Sequence, residues 1–249
     1  HPEIEMALVE LARATGEPRY LDQAAYFVEA RGRGLIGGRP YHQDHRPFAE
    51  MERLTGHAVR ALYLCAGAAD LYAERGDSEI REALGRLWDR MTTRQMYVTG
   101  GLGSRHSGEA VGADYELPNA RAYAETCAGI ANVMWNWRML QIDGGSRYAD
   151  LLERALYNAV LPGISLDGTR YFYTNPLAVS DLPPGDAYER QDWYRCACCP
   201  PNIARTLAKM PGHMYGLTED ETLWIHLYAT NRAEILLGDT SRVLACSSP

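Results

Sequence analysis

The chain is 249 residues long, room for one large domain or two smaller ones, and its 46% hydrophobic and 23% charged composition is that of a folded globular protein. A formal net charge of −7 argues against nucleic acid or an anionic membrane as partner, and no apolar run reaches the ~18 residues of a membrane span. Six cysteines, three of them inside Cys196-Ala197-Cys198-Cys199, do not look like the framework of a small secreted scaffold; they suit metal binding or catalysis in a reducing compartment, and a cytoplasmic location is expected.

The first residues, His1 through Gly16, already read as helix, and the chain stops abruptly after Leu244-Ala245-Cys246, so it reads as a piece of a longer polypeptide. Ile4, Leu8 and Leu11 fall at spacings of four and three, which places them along one apolar face. Three segments then share a layout: an apolar helix ends at a glycine and a second helix follows. The glycines are Gly16, Gly76 and Gly144, each where a C-cap belongs, and they lie 60 and 68 residues apart. The pattern predicts helical hairpins arranged as a ring of paired helices, although such turns also join antiparallel helices in other folds.

Two long connections interrupt the hairpins, and long ordered loops often carry function. Residues 95–120 are rich in glycine; residues 162–198 hold Tyr171-Phe172-Tyr173-Thr174-Asn175 and a Pro-Gly-Asp loop. Beyond Gly216, the runs Thr222–Thr230 and Arg232–Gly238 alternate or run apolar as strands do. The expected division is a helical domain over 1–217 and the start of a β domain over 218–249.

Within the first connection, Thr99–Glu109 lacks the Gly-Lys-Ser/Thr ending of a phosphate loop and the strand–helix setting of a dinucleotide fingerprint. Its useful content is Glu109, a carboxylate in a flexible loop beside His106. Glu125 and Cys127 are two apart, so they cannot share a face in mid-helix, yet both can reach one atom from a helix N-terminus or the turn before it. Adjacent cysteines rarely pair with each other, because the ring is strained. One carboxylate and three thiolates make a plausible tetrahedral zinc site, although the spacing is not the paired Cys-x-x-Cys of a zinc ribbon. His57 stands at the start of a predicted helix as a capping, core or site residue; His42 and His45 are equally open, and Tyr173 and Asn175 either line a pocket or pack. Cys65, on the apolar face of its helix, reads as core, and Cys246 carries no assignment.

His1–Asp22, Gly56–Leu64, Thr99–Ala128, Phe172–Leu177 and Cys196–Asn202 together resemble glycoside hydrolase family 127, the β-L-arabinofuranosidase family, and its close relatives such as family 146. The specific carriers are Glu125-Thr126-Cys127 followed by Cys198-Cys199-Pro200-Pro201-Asn202. The resemblance implies a mainly α fold, a partial (α/α)6 barrel with its first helices missing, followed by the start of a β-sandwich domain. It implies a retaining glycosidase acting on an oligosaccharide or glycoside, with Zn²⁺ (zinc) held by Glu125, Cys127, Cys198 and Cys199. Cys198 then matches the nucleophile and Glu109 the general acid/base. His57, His1, Tyr173 and the ligand Glu125 match positions that meet the substrate, and Cys196 matches a nearby cysteine that is not a ligand. The two prolines would limit the freedom of the loop after the cysteines, and a homodimer is the expected assembly, if any forms. Two other readings compete: a non-catalytic helical domain with purely structural zinc, and another (α/α)-barrel sugar enzyme such as an epimerase or unsaturated-uronide hydrolase, which would leave the cysteines unexplained.

Overall fold

The computed structural model describes residues 1–179 and 188–246, with only the backbone of Cys246. The Pro-Gly-Asp loop and the Cys246 side chain therefore lie outside the described residues. The chain divides into two compact units, His1–Ile203 and Ala204–Pro249.

The first unit is mainly helical and is built from three hairpins. They are α1 (Ile4–Thr15) with α2 (Pro18–Ala30), α3 (Ala58–Arg75) with α4 (Ser78–Arg90), and α5 (Thr126–Asp143) with α6 (Ser146–Ala155). The first helix of each ends where the sequence predicts. Gly16, Gly76 and Gly144 take φ of 71°, 73° and 69°, and their amides bond back to the carbonyls of Ala12, Tyr72 and Leu140. Only glycine adopts this left-handed cap without a steric cost. α1 and α5 both pack against α3, and α2, α4 and α6 pack on their hairpin partners. α3 is buried so completely that Arg60 alone between Ala58 and Leu71 escapes, and Cys65 is core as expected. Its run of alanines keeps it slim enough to be enclosed on all sides.

The first helix departs from its sequence pattern. Ile4 and Leu11 are 45% and 40% exposed, and the buried stripe is Glu5, Met6 and Val9. The Glu5 carboxylate is drawn inside by the Glu3 amide at 3.0 Å and the Arg31 guanidinium at 3.5 Å. That fixes the rotation of α1 one residue away from the apolar stripe.

Two short strands cross-link the connections between hairpins. β1 (Gly56–His57) pairs antiparallel with β2 (Ala110–Val111), His57 opposite Ala110. The buried Gln95 amide, in the π-helical turn that continues α4, accepts from the Leu54 amide and donates to the carbonyls of Leu54 and Gly112. The ladder is thereby tied to the helical layer. α7 (Cys199–Lys209) begins in this unit. Pro200 and Pro201 fall in its first turn, where a missing N–H leaves no bond unmade. The prolines thus start a helix rather than stiffen a loop.

The second unit carries two antiparallel hairpins, β3 (Tyr215–Leu217) with β4 (Leu223–Ile225), and β5 (Asn231–Leu237) with β6 (Thr240–Cys246). Of the strand pattern at 222–230, only β4 is realised. Among the described residues, no helix is long and apolar enough to cross a membrane.

Candidate active site

Two helix N-termini meet at one point. Glu125 is the N-cap of α5 and Cys127 lies in its first turn. Cys199 opens α7, and the carbonyl of Cys198 accepts the Asn202 amide at 3.2 Å. The turn before α5 is clasped by the segment 172–175. The Thr126 amide donates to the Tyr173 carbonyl at 2.9 Å and its hydroxyl to the Phe172 carbonyl at 2.8 Å. Asn175 donates to the Ala124 carbonyl at 2.9 Å and the Thr126 hydroxyl at 3.0 Å, so it packs rather than lining a pocket. Both helix dipoles favour negative charge at these ends.

The four donor atoms are close. Cys127 Sγ lies 3.5 Å from Cys199 Sγ, and Cys198 Sγ lies 3.8 Å from Cys199 Sγ. Glu125 Oε1 is 3.5 Å from Cys198 Sγ and 3.8 Å from Cys199 Sγ. All four donors stand within 4.8 Å of one another. Sulfur at ~2.3 Å and oxygen at ~2.0 Å around a tetrahedral zinc would stand ~3.5–3.8 Å apart. The second Glu125 oxygen is buried with no hydrogen-bond partner. Burial pushes the Glu125 carboxyl well above the usual carboxylate range. The Cys127 thiol is raised chiefly by its hydrogen bond to Cys198, and the Cys199 thiol by its bonds to Cys127 and Cys198. Cys198 alone is lowered, chiefly by its hydrogen-bonded contacts with Cys127 and Cys199. A thiophilic dication is what would let all four groups ionise together, so the donor set fits zinc.

Next to the cysteines stands a carboxylate pinned at both oxygens. The β1–β2 register places His57, the N-cap of α3, beside Glu109. His57 Nε2 is 2.6 Å from Glu109 Oε2, and the Tyr123 hydroxyl donates to Glu109 Oε1 at 2.7 Å. The hydrogen bond from His57, reinforced by Tyr123, holds the Glu109 carboxyl below the usual range. Glu109 sits at φ 50° and Ala124 at 38°, two non-glycine residues in the left-handed region. Such strain is tolerated where the surroundings over-determine it. Polar atoms of His57, Glu109 and Glu125 lie within 4.8 Å of one another, which brings Glu109 up to the cysteine cluster.

Tyr173 Oη is 3.2 Å from Cys198 Sγ. Cys196 is exposed, 4.0 Å from the same hydroxyl, and outside the four-donor group. Cys198 is half-buried, whereas Cys127 and Cys199 are buried. The His1 ring lies edge-on to His57 and Tyr63, with centroids 6.2 and 6.3 Å away. His42 lies instead beside Arg60, at 3.4 Å, and His45 is exposed. Tyr123 is the site residue that sequence reasoning misses. It stands two positions before Glu125, where an aromatic side chain reads as core, and only the folded loop shows its hydroxyl on Glu109.

The family described as Beta-L-arabinofuranosidase, GH127 catalytic domain, matches residues 1–212. A curated relative, the non-reducing end beta-L-arabinofuranosidase of Bifidobacterium longum subsp. longum, is 38% identical over 96% of this chain and 41% of its own length. A solved GH127 beta-L-arabinofuranosidase from Geobacillus stearothermophilus T6 superposes with a TM-score of 0.89 at 40% identity, covering 98% of this chain and 42% of that one. Another solved GH127 beta-arabinofuranosidase gives a TM-score of 0.90 at 43% identity, over 96% of this chain and 37% of that one. The chain thus spans about two fifths of the length of these relatives.

Proposed function

The chain belongs to the beta-L-arabinofuranosidase GH127 catalytic family, and from that premise we propose that the whole protein is a retaining β-L-arabinofuranosidase with Cys198 as nucleophile and Glu109 as general acid/base. On this reading the three hairpins are part of an (α/α)6 barrel over 1–217, and residues 218–249 begin a β-sandwich. The observation that carries it is the juxtaposition of two different groups: a half-buried sulfur in a four-donor cluster, and a carboxylate held at both oxygens beside it.

Glu125, Cys127, Cys198 and Cys199 would hold the zinc, which keeps the sulfurs deprotonated and fixes them in place. The remaining chemistry belongs to side chains. The Tyr173 hydroxyl, 3.2 Å from Cys198 Sγ, orients the sulfur toward the anomeric carbon. The sulfur forms a bond to that carbon as the glycosidic C–O bond breaks, and the departing oxygen takes a proton from Glu109. His57, 2.6 Å from Glu109, steadies the carboxylate left behind. Glu109 then removes a proton from water, whose oxygen displaces the sulfur and releases the sugar with its original configuration. His1, beside His57, and Glu125 complete the substrate-facing set.

A purely structural zinc site buries all of its ligands. The exposure of Cys198 and the pinned Glu109 next to it favour catalysis instead. The test is hydrolysis of an aryl β-L-arabinofuranoside by the full-length protein, with the first-formed anomer read by NMR. Release of β-arabinose is expected. First release of the α-anomer, or no hydrolysis across a panel of aryl furanosides, would overturn the assignment.

A further inference from the structure

A pocket of about 360 Å³ lies along the segment that carries Glu109. No cysteine lines it, and no acidic side chain does. Its charged lining residues are Arg39, Arg53 and Arg105. Arg105 is neutralised by a bidentate pair with Glu116. Among the described residues, Arg39 and Arg53 are exposed, line the pocket and have no carboxylate within ion-pair distance.

The walls are built rather than incidental. Asp44, 1% exposed, accepts the amides of Gly32, Ile36 and Gly38 at 3.2, 2.8 and 2.9 Å, which shapes the loop leading to Arg39. The fully buried Gln43 amide donates to the Thr55 carbonyl at 2.9 Å. Pro40 packs so tightly on Gly56 that a Cβ there would stand 1.9 Å from its carbonyl oxygen. The loop holding Arg39 is therefore fixed against the ladder that positions His57 and Glu109. Tyr41 joins the two regions: it lines the pocket, and its ring lies 5.4 Å from that of His57.

We propose that this pocket is a subsite for the carboxylate of an acidic sugar on the leaving-group side of the scissile bond, read by Arg39 and Arg53. The placement rests on the glycosidase reading and on adjacency: Ser107, Gly108 and Ala110, which flank the proposed acid Glu109, line the pocket, and Glu109 itself does not. Carboxylates match guanidinium groups, and the charge-assisted hydrogen bonds they form are about twice as strong as neutral ones.

The test uses the full-length protein and two probes, methyl galacturonide and methyl galactoside, titrated by NMR. The wild type is expected to bind the uronide about tenfold or more tightly than the neutral glycoside, one charge-assisted contact being worth about that much. The ratio should fall toward one in the Arg39→Gln/Arg53→Gln double variant and with added salt. Equal binding of both probes by the wild type, or a ratio unchanged in a double variant with wild-type melting temperature, overturns the subsite. Hydrolysis of an aryl arabinofuranoside is scored separately. A protein that prefers the uronide through these arginines yet cleaves no arabinofuranoside keeps the anion site and loses the glycosidase reading.

Discussion

Glu109 is the residue on which the site's geometry converges. Its carboxylate meets His57 at 2.6 Å and Tyr123 at 2.7 Å while its backbone sits at φ 50°, a conformation costing about 1 kcal/mol or more for a residue with a side chain. Glu109→Gln should slow turnover by about 10²–10⁴-fold on substrates with poor leaving groups and far less on activated aryl glycosides; equal losses on both would exclude the acid role. Tyr123→Phe removes one donor that stabilises the carboxylate, so the Glu109 pKa should rise. An acid works only while protonated, and the alkaline limb of kcat/KM should therefore shift to higher pH. A shift to lower pH in the measured profile would contradict this. Glu125, Cys127, Cys198 and Cys199 stand out in the sequence as a possible donor set by residue type, whereas Glu109, a lone loop carboxylate, takes its proposed role only from the family resemblance. Tyr123 was not legible, because a lone aromatic carries no mark of where its hydroxyl points.

Among the elements, the two-residue strands β1 and β2 matter more than their size suggests. Their register sets His57 beside Glu109, and Gly56 at φ 75° lets the Pro40 segment close over them. Gly56→Ala combines an unfavourable backbone with a Cβ 1.9 Å from the Pro40 oxygen. It should destabilise the first unit by about 2–4 kcal/mol in urea unfolding and lower activity with it. Wild-type stability would show that the ladder yields easily. Periodicity could not reveal a ladder this short. The hairpin caps at Gly16, Gly76 and Gly144 could be read, because a glycine closing an apolar helix has one common cause. The rotation of α1 could not, because burying Glu5 depends on Arg31, 26 residues away.

At the scale of the molecule, the cluster brings the first turns of α5 and α7 together through four groups that can all ionise at once only around a cation. One zinc per chain should be released by a strong chelator, measured by elemental analysis. The first unit should then melt about 10 °C or more lower, since metal binding and folding are coupled. A metal-free protein that melts unchanged would mean that the four donors bind nothing of consequence.

In the proposed mechanism a sulfur, and specifically that of Cys198, attacks the sugar. A mechanism-based inhibitor that carries an electrophile at the anomeric carbon of an arabinofuranose mimic tests it directly, with the modified peptide read by mass spectrometry. The label should appear as a thioether on Cys198. It should vanish in Cys198→Ser, whose alcohol cannot replace the thiolate and whose turnover should fall by about 10³-fold or more. A label on Glu109 or Glu125 would make the nucleophile a carboxylate and reduce the cysteine cluster to a structural support.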